Sequence, residues 1–344
     1  MSVSLASLKA IIVDATGPVL SREEEQLFKS EKPAGFILFQ RNCVSKKQVS
    51  DLVSSMRACV GCDDIPVLID QEGGTISRLK APAFTEYPAA KSFAELVKTQ
   101  GREKALAAAR ENSYRMALDL AEMGITVNCA PVVDVPAPDC HAFLSASRTY
   151  GDDADEIGYL GEAVCRGLLS GGVTPVIKHI PGHGRAKVDS HFALPVTDAS
   201  FPELSKTDFK PFKYLSQSDM KTALWAMAAH VVYSSIDSDS AATVSARIVK
   251  DVIRGEMGFA GVLIADDISM KALGGTLEDR VRKTMEAGSD LTMLCNGSFE
   301  DRVLALRVTP KVSAVAAERI ERAEKERTNF LKDEKNERSR SARI

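Results

Sequence analysis

The chain has 344 residues, 44% of them hydrophobic, with 44 basic and 47 acidic side chains and a formal net charge of -3. That length and apolar content can bury a large α/β core, while a nearly balanced charge with no basic stripe argues against nucleic acid or an anionic membrane as partner. No apolar run approaches the roughly 20 residues that span a bilayer, and the first ten residues lack the charged start and long apolar stretch of a signal peptide.

Strand-like apolar runs alternate with amphipathic helical stretches along the chain. Residues 10–15 form the first strand candidate, followed by a helix opened by Ser21-x-x-Glu24, the pattern of a capping box. Residues 36–39 are the second, with 44–60 helical behind them. The third, 66–69, runs into Asp70-Gln71-Glu72-Gly73-Gly74, and a long loop past Pro82 and Pro88 leads to a helix over 103–123 that Gly124 caps. A fourth strand spans 125–135, with Asp134 at its polar end, before a helix over 156–169 that Gly171-Gly172 terminates. The fifth, 173–177, ends at Lys178; the sixth, seventh and eighth are 223–232, 262–265 and 291–294, with helices 246–257 and 278–287 between them.

Near-continuous apolar strands covered by helices indicate parallel pairing. Eight of them match an α/β fold of the single-domain (β/α)8 TIM-type barrel kind, expected over residues 1–309. A doubly wound open sheet is the alternative, but no Gly-x-Gly-x-x-Gly follows the first strand. From 310 to 344 the composition turns to Glu, Lys and Arg, with Glu318–Arg322 and Glu321–Lys325 spaced as i,i+4 pairs. That tail reads as a solvated surface helix fraying towards Arg343.

Seven scattered cysteines, an odd number, read as reduced thiols in a cytoplasm. The one close pair, Cys59-Val60-Gly61-Cys62, has no second pair to complete a metal or redox motif.

Active sites of (β/α)8 barrels lie at the C-terminal strand ends. Those ends carry Asp70, Asp134, Lys178 with His179, His230, and Asp266 with Asp267. Singly, each has a bland explanation: an Asp after a strand is commonly a turn or capping residue, and His230, flanked by alanines and a valine, fits a hydrogen-bonded core histidine equally well. Their convergence on one rim sets them apart. After Lys178 comes His179-Ile180-Pro181-Gly182-His183-Gly184-Arg185-Ala186-Lys187-Val188-Asp189-Ser190-His191, a loop holding three of the five histidines. In Asp189-Ser190-His191 a carboxylate two residues before an imidazole can fix its tautomer and make it a general acid/base near neutral pH; a polar turn accounts for the same spacing. The spacing of His179, His183 and His191 on a Pro/Gly loop differs from zinc patterns on a helix face, so no metal is expected.

These residues resemble a known family. Lys178–Gly184 followed by Asp189-Ser190-His191 is similar to the signature loop of the β-N-acetylglucosaminidases of glycoside hydrolase family 3. Asp70-Gln71-Glu72-Gly73-Gly74, Arg148-Thr149-Tyr150-Gly151 and Ala265-Asp266-Asp267-Ile268-Ser269-Met270 match further motifs of that family in order, so the resemblance covers roughly residues 9 to 300. It is closest to single-domain bacterial enzymes of cell-wall recycling. It implies an exo-acting, retaining enzyme that removes terminal GlcNAc from peptidoglycan fragments. Asp266 is then the nucleophile, His191 the acid/base and Asp189 its partner, with Asp70, Arg78, Arg148, Lys178 and His179 gripping the sugar. The implied partner is a small carbohydrate, either a muropeptide or an aryl β-GlcNAc, met by a monomeric cytoplasmic chain with no cofactor. Asp267 is expected only to order its loop. Thr75 stands where the family commonly has Arg, residues 139–147 are less typical, and Arg185-Ala186-Lys187 is a further departure. The rivals are a β-glucosidase-like or phosphorolytic relative in the same fold and a catalytically silent sugar-binding protein.

Overall fold

The computed structural model describes residues 4–145, 147–188, 194–270 and 273–341. Eight parallel strands form one sheet: β1 (Lys9–Val13), β2 (Pro33–Leu38), β3 (Val67–Ile69), β4 (Val127–Asn128), β5 (Thr174–Ile180), β6 (Trp225–Ala228), β7 (Val262–Ala265) and β8 (Thr292–Leu294). Each pairs with its sequence neighbour, β8 returns to β1, and a bridge between Ile264 and Leu291 brings β7 to β8. The result is a nearly closed (β/α)8 barrel, as expected. All six residues of β2 and all seven of β5 are buried, as strands covered on both faces require.

Helices wrap the outside. They are α1 (Arg22–Glu31), α2 (Lys46–Val60), α3 (Ala90–Gln100), α4 (Arg102–Glu122), α5 (Ala154–Ser170), α6 (Phe201–Lys206), α7 (Lys210–Ser216), α8 (Ile248–Glu256, wound in the wider π form), α9 (Leu277–Ala287), α10 (Phe299–Val308) and α11 (Ala314–Ser341). The capping box of α1 is present, with the Ser21 hydroxyl accepting from Glu24 N–H and the Glu24 carboxylate accepting from Ser21 N–H.

Several elements depart from expectation. The fourth strand is two residues long; beyond it the chain follows β5 irregularly, with the N–H groups of Val176 and Lys178 donating to the carbonyls of Ala130 and Pro131 and Val132 bridged to Lys178. The sixth stops at Ala228, and Val232–Tyr233 joins a separate small sheet with Val196–Thr197 and Asp237–Ala241. The long loop after β3 contains a hairpin, Gln71–Gly73 with Ile76–Ser77, and then α3. The fifth strand runs on to Ile180, with its register against β6 shifting between Lys178 and Ile180.

The largest correction concerns the tail. α11 packs against β5 and β7. Ala316, Ile320 and Ala323 are buried, Arg319 pairs with Asp290, and Arg322 and Arg327 donate to the carbonyls of Ala260 and Gly172. Only three small or branched apolar residues at i, i+4 and i+7 carry the buried stripe. The remaining grip comes from arginines reaching loop carbonyls, a pattern indistinguishable in sequence from a solvated face. Of the expected pairs, Glu318–Arg322 is present at 3.9 Å; the fraying end, 342–344, lies outside the described residues.

Candidate active site

A cavity of about 360 Å³ opens at the C-terminal ends of the strands. Two consecutive strand residues normally point to opposite faces. The irregular register in β5 allows Lys178 and His179 both to line this cavity. Lys178 Nζ lies 2.8 Å from Asp70 and 2.8 Å from Glu72. Arg78 donates to the other Asp70 oxygen at 3.0 Å, and Arg148 binds Glu72 through two bonds of 2.8 and 2.7 Å. Two carboxylates and three cations thus form one lattice. Burial would raise the Asp70 and Glu72 carboxyls, but Lys178 with Arg78, and Arg148 with Lys178, hold them below the usual range. Burial likewise opposes the Lys178 charge, and Asp70 and Glu72 overcome it.

Asp134 is fully buried and does not reach the cavity as a ligand group. Its carboxylate accepts from His179 N–H (3.1 Å), His183 N–H (2.7 Å) and His179 Nδ1 (2.7 Å). The last bond places the Nδ1 proton towards Asp134 and leaves Nε2 as the other ring nitrogen. Gly184 then passes against Val135, where a Cβ would come within 1.8 Å of the carbonyl oxygen. Only glycine allows that approach. Arg185 anchors the next turn on Asp208 at 2.8 Å and Glu203 at 2.8 Å.

On β7, Asp266 lines the same cavity, and its Oδ1 accepts from Asp267 N–H at 2.8 Å. Burial alone would raise its carboxyl; the imidazoles of His230 and His179, the Asp267 N–H and Lys178 hold it low. Asp267 also lines the cavity, but its oxygens are taken up by the loop: they accept from Ser269 N–H, Ser269 hydroxyl and Cys295 N–H at 2.9, 2.6 and 2.9 Å. Burial pushes its carboxyl up to about 6 despite those bonds.

The sequence profile of the Glycosyl hydrolase family 3 N terminal domain matches residues 3–326. The chain belongs to glycosyl hydrolase family 3. A protein named beta-hexosaminidase from Actinobacillus succinogenes is 34% identical over 291 residues, covering 84% of this chain and 81% of its own. NagZ from Neisseria gonorrhoeae, solved with N-trifluoroacetyl-D-glucosamine, superposes with a TM-score of 0.78 at 26% identity, covering 96% of this chain and 99% of its own. A family 3 β-N-acetylglucosaminidase from Paenibacillus superposes at 0.81 with 25% identity; this chain, matched over 97%, spans 63% of that longer one.

As a family 3 member the chain is an enzyme that hydrolyses glycosides. Of the residues expected from sequence, Asp70, Arg78, Arg148, Lys178, His179 and Asp266 line one cavity. Asp189 and His191 lie outside the described residues. His230 is the core histidine of the bland reading: its Nε2 donates to the Asp267 carbonyl at 2.9 Å, and the Thr243 hydroxyl meets its Nδ1 at 2.8 Å.

Sequence reasoning passed over Glu72 and His183. Glu72 sits inside the Asp70–Gly74 motif, three residues past the strand end at Ile69, and that position is the available signal. In the sequence His183 figures only in a histidine spacing that does not match a zinc pattern.

Proposed function

We propose that this family 3 enzyme is an exo-acting, retaining β-N-acetylglucosaminidase that removes terminal GlcNAc from peptidoglycan fragments such as GlcNAc-anhydro-muropeptides, acting in the cytoplasm. The observation that carries the reading is that Asp266, held ionised on the tip of β7, faces the same cavity as the Asp70–Lys178–Glu72–Arg148 lattice. The cavity's volume falls in the range of small-ligand sites. The names of the relatives support the same substrate class: beta-hexosaminidase, and a NagZ bound to an N-acylated glucosamine.

In this reading the lattice presents fixed charged donors and acceptors to the sugar hydroxyls and acetamido group, and His179 adds its Nε2. Substrate orientation is then set before the chemistry begins. Asp266 attacks the anomeric carbon as the bond to the leaving oxygen lengthens, giving a covalent glycosyl-enzyme through an oxocarbenium-like transition state. Its low carboxyl pKa keeps it a nucleophile rather than an acid. His191, paired with Asp189, protonates the leaving oxygen and then activates water for the second step. His183, on the same loop as His191, lines the cavity, which supports a loop-borne donor reaching the site.

The reading is tested on aryl β-GlcNAc substrates. Wild type releases the aglycone, and Asp266→Ala loses at least about a thousandfold in kcat. His191→Ala spares an activated aryl leaving group far more than a poor one, because only the poor one needs protonation. A 2-fluoro or 5-fluoro glycosyl donor should leave its label on Asp266 in mass spectrometry. Turnover of aryl glucosides but not of aryl β-GlcNAc, or a label on another carboxylate, would overturn it.

A further inference from the structure

His183 is buried to 5% exposure, yet it lines the sugar cavity. Its backbone N–H is held by Asp134, so the main chain is fixed beneath it. Its ring lies 5.4 Å from that of His179, centroid to centroid. The Nδ1 atom is shut away from solvent and meets no hydrogen-bond partner among the described residues.

An imidazole in this state is costly. A buried polar nitrogen without a partner forfeits its hydration, and a phenyl ring of similar size would carry no such penalty. Nor does the side chain act as a buried cation: burial, and then His179, push its pKa down to about 4, so the ring is neutral at ordinary pH. A neutral ring has one N–H and one lone pair. Leaving a lone pair unmatched costs less than leaving an N–H unmatched, as the rarity of orphaned buried donors shows. The isolated Nδ1 is therefore the lone-pair nitrogen, and the proton sits on Nε2, the ring nitrogen left to meet a ligand in the cavity.

We propose that His183 is a substrate-binding residue that donates a hydrogen bond from Nε2 to an oxygen of the bound sugar. The proposal rests on the cavity being the glycoside site. It needs no particular sugar, so it stands apart from the assignment to GlcNAc. The oxygen is a hydroxyl or the acetamido carbonyl, both of which accept from an N–H.

Two substitutions test it. His183→Phe keeps the ring shape and removes the donor, whereas His183→Gln places an amide N–H near the Nε2 position. The expected result is a loss of about tenfold or more in kcat/KM for the Phe variant and substantial recovery in the Gln variant. Thermal stability of the Phe variant should be equal to or above wild type, since the orphaned nitrogen has gone. Both readouts are taken on whichever aryl glycoside the wild type hydrolyses, chosen from β-GlcNAc, β-glucoside and β-xyloside. A wild type active only on the latter two would refute the GlcNAc reading while leaving this comparison intact. Unchanged kcat/KM in the Phe variant, or a lowered Tm with an activity loss that Gln does not recover, would show that His183 serves packing alone and would overturn the proposal.

Discussion

Glu72 and Arg148 come from different loops, one after β3 and the other after β4, and meet through two parallel bonds with side chains 5% and 7% exposed. Removing one member of a buried pair strands the charge of the other. Glu72→Gln removes the carboxylate that Arg148 and Lys178 share. A loss of about 3 kcal/mol in stability is expected, together with a rise in KM as the sugar-facing lattice loosens. Thermal unfolding and aryl-glycoside kinetics measure both. A variant with wild-type Tm and KM would show that Glu72 is not part of the lattice's support.

His230 acts on the site at one remove, by holding the carbonyl of Asp267, the residue that follows Asp266. His230→Ala opens a cavity and frees that carbonyl, at about 2–4 kcal/mol. Thr243→Val keeps the shape but withdraws the hydroxyl from His230 Nδ1, for about 1–2 kcal/mol. In both variants kcat should fall more than KM rises. A fall in stability with kcat intact would confine His230 to the core.

The carboxyls at the site give opposite pH dependences. Asp70, Glu72, Asp134 and Asp266 have folded-state pKa values below their unfolded ones, so their stabilisation is complete above about pH 4.5 and is lost as pH falls below it. Asp267, raised to about 6, works the other way. The folded state binds its proton more tightly, so its ionisation destabilises the fold as pH rises from about 4 to 6, and the full cost is present above that. Asp267→Asn should therefore gain on wild type at pH 8 relative to pH 5, because only wild type bears the charge. The check is the difference in chemical-denaturation midpoints at the two pH values. An equal difference at both would show that Asp267 titrates normally.

The C-terminal helix makes a plain prediction because sequence and structure disagree about it. Ile320→Ala should cost about 2–4 kcal/mol if α11 is docked, and Arg322→Ala should cost a further, smaller amount by freeing the Ala260 carbonyl. A solvated helix would tolerate both within about 0.5 kcal/mol. Equilibrium unfolding of the two single variants decides between these outcomes.

The barrel was legible in the sequence because its cause is local and repeated. Runs such as Val262–Ala265 are apolar at every position, which requires cover on both faces, and eight of them in alternation with helices admit few folds. The same holds for Asp70, Lys178, His179 and Asp266. Each stands at the polar end of an apolar run, and in a parallel barrel all such ends share one rim.

Tertiary structure decided what depends on partners distant in the chain. Glu72 became the hub of Arg148 and Lys178 through separations of 76 residues and more, and nothing around Glu72 in sequence distinguishes a lattice member from a turn acid. Asp134 and His230 looked like rim residues, but the folded chain spends them on holding backbone. His183 gained its meaning from an unmatched nitrogen, which exists only once neighbours are placed. The arginines of α11 became anchors in the same way, because a guanidinium on a helix surface reads as solvated until a carbonyl from another loop comes within reach.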